Sequence, residues 1–329
     1  VVHLGERECS IQRRNQKIIE ESPSSFVDEQ LRNDMGEQAK RLASTIGYSS
    51  AGTVEFIVDQ NKNFYFLEMN TRLQVEHPVT ELITGIDLVE EMIKIAAGEE
   101  LKLKQDDIKF RGWAIESRIY AEDPERNFMP STGRLITYKP PTSIDNIRND
   151  TGVYEGGEIS MFYDPMISKL CSYGENRKKA CELMLEALNN YQISGIQNNL
   201  NLLSSIIKNE KFISGDLNTG FISEEYPDGF NSKVVDKEDS LNFSLASIFA
   251  FLKIKNRNKN IDLMNNSKFN ERTLFAHINK DVFEFKTYNS QKNSVIEYDG
   301  NVITLESDWR IGDKVMKIKI DEVDFTFQI

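Results

Sequence analysis

The sequence predicts an α+β chain in which a larger mixed domain precedes a small antiparallel, barrel-like β domain packed around one helix. Over residues 1–230, apolar residues recur at helical spacing in some stretches and form strand-like runs in others. Composition then becomes polar and charged over residues 231–240, which predicts a linker. One apolar helix at 241–253 and a series of short strand-like runs follow. We therefore place the domains at 1–230 and 231–329.

Each element of the larger domain is predicted from the period of its apolar residues. The helix at 28–46, for example, has Leu31, Met35 and Leu42 on one face and ends before Gly47, a suitable C-terminal cap. The other predicted elements of this domain are strands at 1–8, 52–58, 64–69, 111–120, 134–139 and 158–163, and helices at 80–97, 176–191 and 197–208.

The small domain is predicted to be a meander of strands that follows its single helix. Asp299-Gly300 fits a two-residue hairpin turn, because both residue types tolerate a positive φ. Val315–Ile318 resembles a biotin acceptor, but strand alternation continues through it, so Lys317 is interpreted as an ordinary strand lysine. The predicted strands are 272–278, 282–288, 294–298, 302–306, 315–320 and 324–329.

Composition and charge exclude several classes of protein. The 329 residues are 28% charged and 39% hydrophobic, as is usual for a soluble protein. A net charge of −12 argues against nucleic acid and anionic membrane as partners, because both attract basic patches. No apolar run approaches the roughly 20 residues of a transmembrane helix, and we expect no signal peptide. Cys9, Cys171 and Cys181 are widely spaced, which predicts reduced thiols without a metal.

Polar side chains able to bind metal and phosphate concentrate in Glu68–Pro78, directly after an apolar, aromatic strand. An extended backbone puts Glu68 and Asn70 on the same face. If the strand at 52–58 pairs with this one through a short turn, Glu55 faces Glu68. Two carboxylates and an amide offer the hard oxygen ligands that Mg²⁺ or Mn²⁺ takes beside nucleotide phosphates. The sequence therefore predicts that these three residues hold a divalent metal.

Two more side chains of this stretch suit the chemistry of a small oxyanion. The guanidinium of Arg72 is a planar fork that matches a planar anion. Glu76 has no basic partner within its own strand, which makes it a candidate general base. The simplest alternative is a charged strand end with ordinary surface ion pairs.

Three longer motifs occur in a fixed order along the first domain. They are Glu6–Arg14, Glu68–Pro78 and Arg118–Pro124, with the sequences Glu-Arg-Glu-Cys-Ser-Ile-Gln-Arg-Arg, Glu-Met-Asn-Thr-Arg-Leu-Gln-Val-Glu-His-Pro and Arg-Ile-Tyr-Ala-Glu-Asp-Pro. Together they resemble the biotin carboxylases of the ATP-grasp family, over about residues 1–230. The resemblance implies the C-terminal lobe of an ATP-grasp biotin carboxylase, which carboxylates biotin with ATP and bicarbonate.

The resemblance also implies a role for each matching side chain. Glu76 would take the proton of bicarbonate, which attacks the γ-phosphate of ATP to give carboxyphosphate. Arg118 would stabilise the negative charge on the ureido oxygen of deprotonated biotin. Glu55, Glu68 and Asn70 would hold the metal ions. The implied binding residues for bicarbonate and the nucleotide phosphates are Gln12, Asn15, Lys17, Arg72, Gln74 and the backbone of Val75.

Within the family, the chain most resembles the propionyl-CoA-type carboxylases. The features are the Gln12–Lys17 run, the closing Tyr226–Phe230 segment and the barrel-like domain. Asn15 departs from the acetyl-CoA-type enzymes, which have a histidine there that can titrate near neutrality. The resemblance implies biotin on a carrier domain outside this chain, and a carboxyltransferase beta subunit bound by residues 231–329. A component of a 3-methylcrotonyl-CoA or acetyl-CoA carboxylase, and a non-catalytic assembly module that docks a carboxyltransferase subunit, remain alternatives.

The sequence lacks a cluster of glycines of the kind that closes over nucleotide phosphates. We therefore expect the family's N-terminal lobes to lie before Val1 and the carrier domain to lie after Ile329. We expect this chain alone to be inactive. The reduced thiols suit the bacterial cytoplasm, or the mitochondrial matrix of a eukaryote.

Overall fold

The computed structural model describes residues 1–231, 237–261, 272–278, 280–288 and 294–329. These residues fall into two compact units, Val1–Ser232 and Lys233–Ile329. Each unit has its own hydrophobic core. Part of the linker predicted at 231–240 lies outside the described residues, at 232–236, and its last four residues begin a helix.

Within residues 1–231, a five-stranded antiparallel sheet is accompanied by a two-stranded hairpin, three short strand pairs and seven α-helices. The predicted α+β class is confirmed. The strands are β1 (Glu8–Arg13), β2 (Gln16–Ser22), β3 (Thr53–Val58), β4 (Phe64–Asn70), β5 (Trp113–Tyr120), β6 (Glu122–Asp123), β7 (Met129–Pro130), β8 (Gly133–Arg134), β9 (Thr137–Lys139), β10 (Ile147–Thr151), β11 (Glu158–Ile159), β12 (Met166–Gly174) and β13 (Gln192–Ser194). The helices are α1 (Glu29–Thr45), α2 (His77–Thr84), α3 (Leu88–Ala96), α4 (Arg177–Asn190), α5 (Leu200–Lys208), α6 (Glu210–Ser214) and α7 (Phe221–Glu225), with 3₁₀ turns at Gln105–Asp107 and Pro124–Arg126.

The central sheet runs in the order β1-β2-β5-β12-β10, and one of its faces is apolar. Strand alternation places Ile115 and Ile119 of β5 on this face, beside Leu170 of β12. These side chains are fully buried and join the main core together with residues of α4 and α5, such as Met184 and Leu203. The burial of this face anchors the sheet and fixes which side chains point to the other face.

The opposite face of the sheet is charged and lies beneath α2. Glu116 and Arg118 point to this face of β5, and Glu20 of β2 is the Cα partner of Glu116. Val79 of α2 packs on Ala114 at one end of the same face. The helix thus shields a set of charged sheet residues from water.

The β3–β4 hairpin forms as predicted and sets the register of the candidate metal ligands. Glu55 is the Cα partner of Glu68, and Thr53 is the partner of Asn70. A bulge follows Glu55, where the register shifts by one residue before Phe56. The chain then runs from β4 through a short segment into α2, so both elements contribute to one site.

Two predicted boundaries near the site are wrong. The first strand was expected at 1–8, but β1 begins only at Glu8. The helix expected at 80–97 is two helices, because Gly85 ends α2 in the left-handed conformation (φ 72°) and Asp87 caps the start of α3. The apolar residues keep helical spacing on both sides of this break, so their period alone predicted one continuous helix.

Two strands predicted farther along the chain are shorter than expected. The run at 134–139 divides into β8 and β9, and the run at 158–163 ends with β11 at Ile159. Met161, Phe162 and Tyr163 follow in a turn and are strongly exposed. Their apolar character suggested a strand, but no neighbouring strand covers them within the described residues.

In the described part of the second unit, helix α8 (Lys237–Ile261) packs against a six-stranded antiparallel sheet whose strands pair in chain order. Leu245 and Phe249 of the helix share a core with Phe285 of the sheet. Asp299 and Gly300 both have positive φ, in accord with the predicted hairpin turn. The predicted strands are confirmed to within one residue. They are β14 (Arg272–Ile278), β15 (Asp281–Tyr288), β16 (Ser294–Tyr298), β17 (Asn301–Glu306), β18 (Val315–Ile320) and β19 (Val323–Gln328).

The state of the cysteines agrees with a further expectation. Cys9, Cys171 and Cys181 are free thiols. Across the described ranges, no helix is both long enough and apolar enough to cross a membrane. Lys317 lies within β18, paired with Thr326, as expected for a strand lysine.

Candidate active site

The end of the β3–β4 hairpin away from its turn gathers two carboxylates and an amide. Asn70 Nδ2 donates to Oε1 of Glu55 at 3.1 Å and to Oε1 of Glu68 at 3.0 Å. Arg72 Nη2 donates to Asn70 Oδ1 at 3.1 Å. The predicted facing of Glu55 and Glu68 is confirmed, and the amide of Asn70 bridges the two carboxylates.

Glu76 lies at the N-terminus of α2 and is buried between two cations. Lys17 Nζ of β2 is 2.6 Å from its Oε1, and Arg118 Nη2 of β5 is 3.0 Å from its Oε2. Lys17 also donates to Glu55 Oε1 at 3.1 Å. Glu76 therefore lies beyond its strand and has two basic partners from other strands. The candidate base and the hairpin carboxylates are joined through one lysine.

Two nearby cations, Arg7 and Lys17, also set the protonation of this carboxylate. Burial alone would raise the pKa of Glu76, but Arg7 and Lys17 outweigh it and hold the pKa below its ordinary value. Burial likewise would lower the pKa of Lys17, but its partners, including Cys9 and Glu76, raise it. At neutral pH the pair is an ionised carboxylate against an ammonium group. Glu76 becomes a better proton acceptor when a bound anion accepts a hydrogen bond from Lys17 in its place.

Gln74 is held in place by an arginine whose role the sequence did not reveal. Arg7 Nη2 donates to Gln74 Oε1 at 2.6 Å and to Thr53 Oγ1 at 2.9 Å, while its Nη1 donates to Thr80 Oγ1 at 3.1 Å. Gln74 Nε2 in turn donates to Glu55 Oε1 at 2.6 Å. Arg7 stands inside one of the three motifs, so the motif was a signal for it, but its partners lie far along the chain.

Three other predicted site residues, Val75, Gln12 and Asn15, lie in different parts of the first unit. The carbonyl of Val75 accepts from Lys169 Nζ at 2.8 Å, which ties the segment between β4 and α2 to β12. Gln12 donates to the carbonyl of Cys9 at 2.7 Å and lines the cavity described below. Asn15 is exposed in the β1–β2 turn with φ 65°. Asn15 does not line that cavity, and its left-handed backbone suits the turn itself.

A cavity of about 910 Å³ opens beside these residues. Its charged end is formed by residues of the site, and its other walls include apolar side chains of β3, β4 and α1. Such a mixture suits a ligand with a flat apolar part and a charged part. The lining residues used here are Arg7, Gln12, Lys17, Glu55, Arg72, Gln74 and Glu76 at the charged end, and Met35, Val54, Phe56, Leu67 and Met69 on the apolar walls.

Two buried glutamates beneath α2 were not among the predicted site residues. Glu20 and Glu116 are 0% exposed and directly opposite each other in the register. Burial raises the pKa of Glu20 to about 7 and raises the pKa of Glu116 well above its ordinary value. Cys171 Sγ donates to Glu116 Oε2 at 3.4 Å. Their signal was a carboxylate directly after an apolar strand residue, Ile19 in β2 and Ile115 in β5.

A neutral, buried Glu116 predicts a pH-dependent stability. In the unfolded chain this carboxyl ionises near its ordinary pKa of about 4.3, whereas in the folded chain it keeps its proton to higher pH. Ionisation therefore favours the unfolded state as pH rises between the two pKa values. Glu116→Gln removes this effect. We expect its melting temperature, relative to wild type, to rise by a few degrees from pH 5 to pH 8.

The measurement is thermal unfolding of the full-length protein by calorimetry at several pH values. Glu186→Gln, at an exposed position on α4, is the control for the loss of one carboxyl group. A difference between Glu116→Gln and wild type that stays constant from pH 5 to pH 8 would contradict the neutral carboxyl.

The hairpin residues fit a divalent cation. Within the described residues no three His, Cys, Asp or Glu side chains converge as a metal site, and the candidate donor beside Glu55 and Glu68 is the amide of Asn70. Asn70 already contacts both Glu55 and Glu68, and rotation of its amide exchanges nitrogen for oxygen. Two carboxylates and one carbonyl oxygen suit Mg²⁺ or Mn²⁺, which complete their shells with water and phosphate oxygens.

Three families match successive parts of the chain. Residues 1–104 match the carbamoyl-phosphate synthase L chain ATP-binding domain, residues 116–224 the biotin carboxylase C-terminal domain, and residues 245–329 the propionyl-coenzyme A carboxylase BT domain. The first match contains Lys17, Glu55 and Glu76, and the second contains Arg118. The chain belongs to the biotin carboxylase family. The resemblance drawn from its three motifs is thereby confirmed.

Relatives of this biotin carboxylase chain extend the likeness over its whole length. The propionyl-CoA carboxylase alpha chain of Ruegeria pomeroyi is 47% identical over 350 residues, which cover 100% of this chain and 51% of the relative. Biotin carboxylase 1 of Bacillus subtilis is 50% identical over 222 residues, covering 67% of this chain and 49% of the relative. The chain spans about half the length of the curated relatives it matches.

A solved biotin carboxylase shares the fold. It is the biotin carboxylase domain dimer of the Hydrogenobacter thermophilus 2-oxoglutarate carboxylase, in complex with MgADP, ADP and bicarbonate. Its TM-score is 0.67 at 47% identity, and the match covers 69% of this chain and 49% of that one.

Proposed function

We propose that this chain is the biotin carboxylase component of a propionyl-CoA-type carboxylase alpha subunit. It would carboxylate biotin with bicarbonate at the expense of ATP. The observation that carries the proposal is the buried carboxylate of Glu76 between Lys17 and Arg118. One carboxylate and two cations thus lie together, beside the candidate metal-binding hairpin and a large cavity. The likeness to propionyl-CoA carboxylase alpha chains supports the acyl-CoA type.

In the first half-reaction, bicarbonate binds beside Lys17 and accepts hydrogen bonds from it. Arg72, Gln74 and the backbone amide of Val75 are further donors. The anion competes with Glu76 for the ammonium group, because both are planar oxyanions. Glu76 Oε1 is then free to take the proton from the bicarbonate hydroxyl. The resulting oxyanion attacks the γ-phosphorus of ATP. The bond to the β-phosphate breaks, ADP leaves, and carboxyphosphate forms.

In the second half-reaction, biotin enters as a substrate. Carboxyphosphate breaks down to CO₂ and phosphate, and the phosphate removes the proton from the ureido nitrogen of biotin. Arg118 supplies a permanent positive charge for the negative charge that develops on the ureido oxygen. The nitrogen then attacks CO₂ and the new N–C bond forms. Gln12 and Asn15 are proposed to assist binding from β1 and its turn.

A divalent cation held by Glu55, Glu68 and Asn70 supplies positive charge that neutralises the ATP phosphates when it is bound. We expect Asn70→Ala to weaken Mn²⁺ binding on the order of tenfold, because an oxygen ligand and the bridge between the two carboxylates are both lost. Electron paramagnetic resonance of Mn²⁺, titrated into the full-length protein with ADP, measures this directly. Asn63→Ala, at the turn of the same hairpin, is the matched control. Equal Mn²⁺ affinity in both variants would argue against the metal site.

We propose that residues 231–329 bind the carboxyltransferase beta subunit and that a biotin carrier domain visits the first unit. The match of residues 245–329 to a propionyl-coenzyme A carboxylase BT domain supports the first part. Phe275 and Val282 are exposed on neighbouring strands of this unit and offer apolar area for a partner. The three free thiols suit a reducing compartment, either bacterial cytoplasm or mitochondrial matrix.

The test is release of ADP by the full-length protein with ATP, Mg²⁺ and bicarbonate, measured with and without free biotin. We expect biotin to stimulate ADP release, and we expect no stimulation when bicarbonate is removed. ADP release that biotin does not change, in folded protein, would overturn the proposal and favour the assembly module. The partner subunit with propionyl-CoA, 3-methylcrotonyl-CoA or acetyl-CoA then distinguishes the acyl-CoA specificity.

A further inference from the structure

One nitrogen of Arg118 is shared by carboxylates from two different elements. Its Nη2 is 3.0 Å from Glu76 Oε2 at the start of α2 and 2.5 Å from Glu20 Oε1 of β2. In the part of the chain that the structure describes, its Nε has no hydrogen-bond partner although it is buried. One edge of the guanidinium is therefore fixed by the protein, while a buried N–H remains for another group.

Burying the carboxylate of Glu20 in this position costs desolvation free energy. It is 0% exposed, and neither of its carboxylate oxygens makes a well-formed hydrogen bond within the described residues. Glu116 lies directly opposite and adds a second carboxyl group to the same buried layer. A buried carboxylate with one imperfect ion pair contributes little to stability, because desolvation offsets the attraction. Folding alone therefore does not account for Glu20.

We propose that Glu20 is a positioning residue for Arg118. It holds the Nη2 edge of the guanidinium against β2, so that Arg118 keeps one orientation when Glu76 changes partners during the reaction. This inference rests on the proposed function, because it concerns the arginine that stabilises charge on biotin. Without Glu20, the guanidinium would keep the hydroxyl of Tyr120 and only one carboxylate, that of Glu76, whose contacts change when bicarbonate binds.

The groups around Glu20 make its charge, and therefore its positioning role, depend on pH. The charged and titratable groups around it are Arg118, Glu116, Glu76, Lys17 and Cys9. Burial raises the pKa of Glu20 to about 7, so its negative charge is lost as pH falls through this region. Glu76 has a pKa below its ordinary value and stays ionised over the same interval. At a constant concentration of the bicarbonate anion, the biotin-dependent rate should therefore have an acid limb near pH 7 that belongs to Glu20.

Glu20→Gln in the full-length protein tests the role, since it keeps the shape and removes the charge. We expect the biotin-stimulated rate to fall on the order of 10- to 100-fold, because misplacement of a catalytic group by about 1 Å has such effects. ADP release with bicarbonate but without biotin should fall much less, because Lys17 still holds Glu76. The acid limb near pH 7 should disappear. Glu20→Asp, which keeps the charge on a shorter side chain, should recover part of the rate.

Glu21→Gln is the matched control. Glu21 is the next residue of β2, is 1% exposed, and pairs with Arg177 at 2.8 Å on the apolar-core side of the sheet. Melting temperatures of both variants show whether they fold. If Glu20→Gln lowers the rates with and without biotin equally, or keeps the acid limb, the positioning role is overturned. If wild type shows no biotin stimulation at all, the proposed function fails, and this inference fails with it.

Discussion

Glu76→Gln in the full-length protein is expected to lower bicarbonate-dependent ADP release by at least about a hundredfold. Glutamine keeps the shape of the side chain but cannot take a proton from bicarbonate. The change also removes the charge that pairs with Lys17 at 2.6 Å and Arg118 at 3.0 Å. Nucleotide binding should persist, because Gln74 and the hairpin carboxylates retain their own contacts. The measurement is the initial rate of ADP release at saturating ATP and bicarbonate.

Nucleotide affinity, measured by calorimetric titration of ADP, separates lost chemistry from lost binding. Glu21→Gln controls for loss of a buried carboxylate elsewhere on β2. A Glu76→Gln rate close to wild type would remove Glu76 as the base, and a bound phosphate oxygen would have to be considered instead.

Arg118→Ala is expected to lower biotin carboxylation about a hundred- to a thousandfold, the usual effect of removing one donor to a developing oxyanion. The same change leaves Glu20 and Glu76 as buried charges without their shared partner, so some loss of stability is expected. Arg118→Lys retains the charge but lacks the planar fork, and we expect it to recover stability better than activity. The measurement is the biotin-stimulated rate beside the rate without biotin.

Arg177→Lys is the control for Arg118→Lys. Arg177 is buried to a similar degree and pairs with Glu21 across the other face of the sheet. A loss of biotin-stimulated rate shared equally by both lysine variants would show that Arg118 acts through stability and not on biotin.

The hairpin part of the site could be predicted because its geometry is local. Glu68 and Asn70 are two residues apart, and strand alternation alone puts them on one face. Glu55 required only that adjacent strands form a hairpin, which they do. The six strands of the second unit were predictable for the same reason, because each pairs with its neighbour in the chain.

The contacts around Glu76 could not be predicted from spacing. Lys17 lies 59 residues from it and Arg118 lies 42 residues away, so their meeting depends on the order of strands in the central sheet. That order brings β2, β5 and β12 together although long segments separate them. Glu20 and Arg7 were missed for this reason, since no local pattern distinguishes a buried ion pair from an exposed one.

One carboxylate oxygen is shared by the metal-binding part of the site, at the hairpin, and the anion-binding part, at Lys17. Glu55 Oε1 accepts hydrogen bonds from Lys17, Asn70 and Gln74, at 3.1, 3.1 and 2.6 Å. A cation bound at the hairpin draws on this oxygen, and an anion bound at Lys17 withdraws one of its donors. The two proposed binding equilibria therefore share a coupling free energy. By thermodynamic reciprocity, the factor by which metal changes the affinity for bicarbonate equals the factor by which bicarbonate changes the affinity for metal.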